Sequence, residues 1–330
     1  MQSWTWGELK SRFGWSPVRL AVRDGAGREA GGLQMLIRRR SIVGFARLGI
    51  AYIPRGPFGA AGDDIYDALF ATAAAEARAA GAWFLRVEPA AHDFEKLQGP
   101  LHRAGFVRTR QFVQIRATAY VDLRPDEEEI LESFKSKTRY NVRLAARRGV
   151  RFREARSDAD VDSFFALTVA TGGRDGFAVH AKDYYRAVWK SFGETRGSLL
   201  LASFDGEDIA AILVVRCGDM ATYLYGASSD RHRNQMPNHL LQWEAMRWAK
   251  AAGCSTYDFW GMDDGEAGDR SMAGVDKFKS GFDPQPVVHP GAFDLPLSPL
   301  GHAFLTRVLL PGRTRLQGLL GSRPGAGPPA

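Results

Sequence analysis

The sequence predicts an α+β fold made by tandem duplication of one mixed unit, and two observations carry this. The first is a repeated order of elements. RLAVRDG (19–25), GGLQMLIRR (31–39) and ARLGIAYIP (46–54) read as strands broken by turns. A helix over about 63–80 and the strand AWFLRVEP follow. The same order returns in SLLLASFDGEDIAAILVVRCGDMATYLYGASS (198–229), a helix over about 238–252 and CSTYDFW. The second is how both helices end. AEARAAGAWFLRVE and MRWAKAAGCSTYDFW each place a glycine, Gly81 and Gly253, where a left-handed residue closes a helix.

The 330 residues suffice for two domains, and 45% hydrophobic with 25% charged residues is an ordinary globular mixture. Forty-four Lys and Arg against 37 Asp and Glu leave a net charge of +7, which suits acidic partners such as nucleic acid, phosphorylated substrates or an anionic membrane surface. Cys217 and Cys254 stand apart, so neither a disulfide framework nor a CxxC metal site is implied and a reducing compartment fits. MQSWTWGELK lacks the pattern of a signal peptide. The most apolar long stretch, Asp67 to Leu85, is interrupted by Asp67, Glu76 and Arg78, so no membrane-spanning helix is expected. After Pro299, HAFLTRVLL and RTRLQGLL read as short helical pieces, and GSRPGAGPPA as a disordered tail.

Hairpin, helix and strand is also the order of the GNAT acyltransferase core. Acetyl-CoA users of that fold carry a glycine-rich pyrophosphate loop before the long helix. Here those places read YIPRGPFGAAGDD and GASSDRHRNQMPNH, where proline interrupts both, so an acyl-CoA donor is disfavoured.

SFKSKTRYNVRLAARRGVRFREA (133–155) is strongly basic, with Glu154 its one acid. The spacing predicts a helix over Glu127–Arg148 closed by Gly149. Ile130, Phe134, Thr138, Asn141 and Ala145 share its packed face, and Asn141 is expected to bond a backbone group. Lys135, Arg139, Arg143 and Arg147 recur every fourth residue. Like charges one turn apart repel unless phosphates fill the space between them, although a solvated face would show the same spacing.

KSKTRYNVRLAARRGV resembles the signature helix of the FemABX aminoacyltransferases. QSWTWGELK (2–10), YIPRGPF (52–58), FLRVEP (84–89), RDGF (174–177), YLYGASS (223–229), YDFWG (257–261) and FKSGF (278–282) match in order over nearly the whole chain. The resemblance implies two GNAT-like domains and transfer of an amino acid from aminoacyl-tRNA to the stem peptide of a peptidoglycan precursor. No long heptad stretch lies between residues 156 and 200, so the coiled-coil arm of some members is not expected. The domains expected are 1–118 with 291–330, and 119–290.

The resemblance also implies roles for single residues. Lys10 and Arg174 contact the diphosphate of the precursor. Tyr223 and Tyr225, two apart on a strand and so expected on one side, line the substrate groove. Phe278 stacks on the terminal adenosine, and Lys279 stabilises the oxyanion formed when an amine attacks the ester. Glu88 either deprotonates that amine or merely holds a loop. Lys135, Arg139, Arg143 and Arg147 meet the tRNA backbone. No HExxH, GxSxG or GxxxxGK[ST] occurs, and MDDGEAGD (262–269) lacks EF-hand spacing, so neither metal nor cofactor is expected. A cytoplasmic monomer follows, touching the membrane only if the acceptor is lipid-linked. Two alternatives stay open: a GNAT-like N-acyltransferase with another donor, and a tandem-domain RNA-binding protein without catalysis.

Overall fold

A computed structural model of the chain describes residues 1–41, 47–59, 62–176, 178–263 and 273–304. It divides into two compact units, Met1–Arg116 with the described residues from Val288 onward, and Ala117–Val287. The MDDGEAGD stretch from 264 and the tail from 305 lie outside the described residues.

The first unit opens with α1 (Trp4–Ser11), capped by the Ser3 hydroxyl, which accepts the Trp6 N–H. Strands β1 (Ser16–Arg23), β2 (Glu29–Ser41) and β3 (Arg47–Pro54) form an antiparallel meander, with β4 (Phe58–Gly59) alongside β2. Helix α2 (Asp63–Ala79) ends before Gly81, whose φ of 71° is left-handed. It leads into β5 (Phe84–Glu88), which runs parallel to β3. Helix α3 (Phe94–Arg103) and β6 (Val107–Thr109) follow. Alternate residues of the sheet, among them Met35, Ile53, Leu85 and Val87, pack on Tyr66, Phe70 and Ala73 of α2.

The second unit comprises β7 (Ala117–Asp122), α4 (Glu127–Ser133), α5 (Ser136–Arg147), β8 (Arg151–Glu154), α6 (Asp158–Asp175), α7 (Lys182–Arg196), β9 (Gly197–Phe204), β10 (Glu207–Cys217), β11 (Met220–Ser228), α8 (Pro237–Ala251), β12 (Thr256–Asp258), α9 (Ala273–Lys279) and β13 (Gln285–Val288). Its sheet order is β13-β7-β12-β11-β10-β9-β8. The chain then returns through β14 (Ala292–Pro296) and α10 (Pro299–Phe304), so the first sheet runs β1-β2-β3-β5-β14-β6. In both units a three-strand meander precedes a helix and a strand parallel to the third, which is the duplication the sequence predicts.

One expectation is corrected here. The basic helix is two helices, because Phe134 and Lys135 are extended, with ψ of 147° and 142°. Tertiary packing imposes the break. Phe134 is buried edge-on to Trp243 and Phe282, and the Lys135 N–H donates to the Gly281 carbonyl at 2.9 Å. Despite their two glycines, residues 171–175 are helical. Helix α6 continues through Gly172 and Gly173 and ends at Gly176, with φ 74°. The Thr171 hydroxyl donates to the Ser228 carbonyl and accepts the Ser228 N–H, which ties this last turn to β11.

Candidate functional site

The second unit holds an opening in its sheet. β11 and β12 pair over only three rows, Met220–Thr222 with Thr256–Asp258. Beyond Thr222, β11 runs on to Ser228 with β10 on one side and, among the described residues, no strand on the other. Lys279 lies at this place. It is 4% exposed, and its Nζ donates to the Gly261 carbonyl at 2.7 Å and to the Trp260 carbonyl, 5.8 Å from the Tyr223 ring centre. Burial lowers its pKa to about 8, against the pull of Asp276 and then Asp258, so the amine is mostly charged at neutral pH. An ammonium has three N–H groups, and two carbonyls leave one for a ligand.

Phe278, one residue earlier, is half-buried and meets His239 edge-on at 5.0 Å and Phe282 at 5.3 Å. His239 is held neutral by burial, its pKa pushed down to about 4. A neutral ring can accept through Nε2, which lies 3.3 Å from Asn141 Nδ2. Asn141 therefore faces a side chain, not the backbone group expected of it. Gly281 passes so close to α5 that a Cβ would stand 2.2 Å from the Thr138 hydroxyl. The basic helix and the Phe278–Gly281 segment thus pack as one piece, joined by the Lys135–Gly281 hydrogen bond.

The basic stripe is shorter than its spacing predicts. Lys135, Arg143 and Arg147 are exposed, with Arg147 5.6 Å from the Tyr140 ring. Arg139 turns back, and its Nη1 donates to the Glu132 and Phe134 carbonyls at 2.7 and 3.0 Å, satisfying the end of α4 that the break exposes.

Tyr223 and Tyr225 do not share a side. A bulge in β11 at Leu224 sets Tyr225 opposite Leu213 and Tyr223 opposite the next residue, Val214. Tyr223 packs with Val214 against the α5 and α8 core. Tyr225 meets Tyr184 and Tyr185 of α7 and His180. Burial raises the Tyr223 phenol to about 12 and the Tyr225 phenol well above its usual value. Both are neutral hydrogen-bonding groups at physiological pH.

Arg174 is engaged already. It forms a fork with Asp175 at 2.7 and 2.9 Å, and its Nη1 donates to Asp230 at 2.9 Å and to the Ser228 carbonyl. In the first unit, Lys10 lies in the last turn of α1 with its Nζ 4.8 Å from the Trp6 ring centre. Glu88 is 1% exposed. Its carboxylate accepts from the Tyr52 hydroxyl at 2.8 Å and from the Val113 and Gln114 amides at 2.5 and 2.9 Å. Of the two roles weighed for Glu88, these partners describe loop holding.

The turn before α8 is a poor phosphate cradle. The amides of Gln235, Met236, His239 and Leu240 donate to backbone carbonyls of the same turn, and Pro237 has none to give. Among the described residues no cluster of three or more His, Cys, Asp or Glu is placed to hold a metal ion, and no helix is long and apolar enough to cross a membrane.

Residues 132–280 match a family model described as an acetyltransferase (GNAT) domain. The chain is 25% identical to the lipid II:glycine glycyltransferase of Staphylococcus haemolyticus (strain JCSC1435), over 84% of this chain and 83% of that protein. Among solved structures it is similar to the crystal structure of FemX, with a TM-score of 0.81, 22% identity and coverage of 93% and 94% of the two chains. A tandem GNAT protein from the clavulanic acid biosynthesis pathway aligns with a TM-score of 0.54 and 15% identity over 89% and 94%. The resemblance to the FemABX aminoacyltransferases is borne out by these relatives, and the fold is a tandem of GNAT-like α+β domains.

Proposed function

We propose that this chain, an acyltransferase of FemABX type, moves an amino acid from aminoacyl-tRNA to the stem-peptide amine of a peptidoglycan precursor, beginning or extending an interpeptide bridge. The observation that carries the reading is the union of the basic helix with the Lys279 segment through the Lys135–Gly281 hydrogen bond. A polyanion lying along Lys135, Arg143 and Arg147 ends beside a buried cation. The first relative named above acts on lipid II, which supports an acceptor of that class.

The chemistry needs little from the protein. The acceptor amine attacks the ester carbonyl, the C–N bond forms, and the oxygen takes negative charge. Collapse breaks the C–O bond, and the ribose hydroxyl leaves with the proton that the amine gives up. Lys279 supplies an N–H and a positive charge to the oxyanion. Phe278 offers a ring edge to the terminal adenine. Lys10 and Arg174 bind the diphosphate, and Arg174 exchanges its Asp175 and Asp230 partners for phosphate oxygens. On this reading the chain works in the cytosol as a monomer, and meets the membrane only through a lipid-linked acceptor. The spent amides before α8 favour tRNA over acyl-CoA as donor.

The test is to incubate the purified protein with a charged tRNA pool and either lipid-linked or nucleotide-linked murein precursor. The precursor is expected to gain the mass of one aminoacyl residue, and to gain nothing once the tRNA has been deacylated. Gain from acyl-CoA with none from charged tRNA would overturn the reading in favour of an ordinary N-acyltransferase. Retention of tRNA with no product from any donor would leave an RNA-binding protein.

A further inference from the structure

Lys279 is held by backbone that leaves the regular sheet. The Phe259 amide donates to the Ala119 carbonyl at 3.0 Å, and the Met262 amide to the Ala117 carbonyl at 2.8 Å, so both lie on the β7 ladder. Between them, Trp260 and Gly261 bulge out with φ of 49° and 47°. A tryptophan in the left-handed region is strained and persists only where its surroundings impose the geometry. The two carbonyls that this bulge turns off the ladder are those that receive the Lys279 Nζ.

Asp258 imposes the geometry. It closes β12, is 4% exposed, and accepts the Trp260 N–H on Oδ1 at 2.8 Å. The same oxygen accepts the hydroxyl of Thr118, which lies between the two ladder partners Ala117 and Ala119. We propose that Asp258 is the positioning residue for Lys279: its carboxylate fixes the Trp260–Gly261 bulge so that two carbonyls converge on the ammonium. The inference rests on the role given to Lys279 above. Asp276 of α9 is the other carboxylate acting on the amine, and the neutral Tyr223 ring of β11 lies 5.8 Å from it. Asp258 alone of these joins the charge to the backbone that binds Lys279.

Charge and geometry separate in two variants. Asp258→Asn keeps an oxygen acceptor for the Trp260 and Thr118 donors and removes the charge. Asp258→Glu keeps the charge and displaces the acceptor. The first readout needs no activity: the protein is labelled at lysine Cε, the Lys279 resonance is assigned with Lys279→Arg, and its titration is followed by NMR. Asp258→Asn should lower the Lys279 midpoint, because Asp258 is one of the two carboxylates whose charge opposes the effect of burial. Asp258→Glu should hold the midpoint near that of the wild-type protein. In the transfer assay, the alkaline limb of the turnover profile should move down with the midpoint in Asp258→Asn. Turnover should fall at every pH in Asp258→Glu. An unmoved midpoint in Asp258→Asn, or full turnover in Asp258→Glu, overturns the proposal. If the midpoint moves but the wild-type protein transfers nothing, the proposed function fails and the positioning role stands.

Discussion

The two units join their third strand to the parallel strand after the helix in opposite ways. In the first, β3 and β5 pair over five rows, Ile50–Pro54 with Phe84–Glu88, and the Arg55 N–H adds a bond to the Glu88 carbonyl. Tyr52 and Glu88 then close the pair through side chains. In the second, β11 and β12 part after three rows, and Lys279 lies where the ladder stops. A carboxylate ends the parallel strand in each. Glu88 spends both oxygens holding the chain at Val113 and Gln114, whereas Asp258 holds a bulge whose carbonyls bind a cation. On the proposed function, duplication supplied one opening to seal for stability and another to keep for chemistry.

The largest effect that separates the units should come from their buried charged residues. Lys279→Ala should raise the barrier to transfer by about 2–4 kcal/mol, the size of a lost oxyanion donor, with little loss of melting temperature. In wild-type protein, turnover should fall as pH rises through about 8, where the amine loses its proton. Glu88→Ala should do the reverse. Two backbone amides and a phenol lose their acceptor, so stability should drop by about 3 kcal/mol, while the fraction that stays folded retains its turnover. Thermal melts beside initial rates decide between these patterns. A Glu88 variant that folds normally but has lost turnover would return Glu88 to catalysis.

A smaller effect concerns the tRNA face. Arg143→Glu with Arg147→Glu should weaken tRNA binding at low salt and flatten its salt dependence by about one unit of slope per lost phosphate contact, leaving precursor binding nearly unchanged. An unaltered slope would make the stripe an ordinary solvated surface. Arg139→Ala should instead cost stability, because that side chain serves the end of α4.

A further effect, read against pH, is shared by both units. His239 in the second and His289 in the first are held neutral by burial, with pKa values of about 4 and about 3. Their folded pKa lies below the unfolded value, so the unfolded chain takes up protons first as pH falls below about 6.5. Melting temperature should therefore decline from pH 6.5 towards 4. His239→Gln should make the decline shallower, and a slope that the variant leaves unchanged would remove His239 from the account.

The duplication was legible because its marks are local: alternating apolar strands, and a glycine at each helix end where the backbone turns left-handed. For the candidate site, the sequence names residue types and leaves much of their geometry unread. The break at Phe134–Lys135 depends on a partner, Gly281, far along the chain, and periodicity carries no trace of it. The bulge at Leu224 belongs to the pairing of β11 with β10, so strand alternation alone put Tyr223 and Tyr225 on one side. Gly172 and Gly173 lie inside a helix although glycine ordinarily punctuates one, and the Thr171–Ser228 bonds that tie that turn down are tertiary. Asp258 went unremarked, although an acid set among aromatic residues in YDFWG is the kind of signal that could have marked it, since a carboxylate buried in such company needs donors.

The division of labour between the units is tested most directly by measuring kcat and the precursor KM for Lys279→Ala and Lys10→Ala side by side, with aminoacyl-tRNA saturating. Lys279 acts on charge that develops only during attack, so its loss should lower kcat by roughly 30- to 1000-fold and leave KM nearly unchanged. Lys10→Ala should raise KM with little effect on kcat. A Lys279→Ala protein that keeps its kcat and loses only affinity would contradict the account, because the opening in the second sheet would then bind substrate without carrying the chemistry.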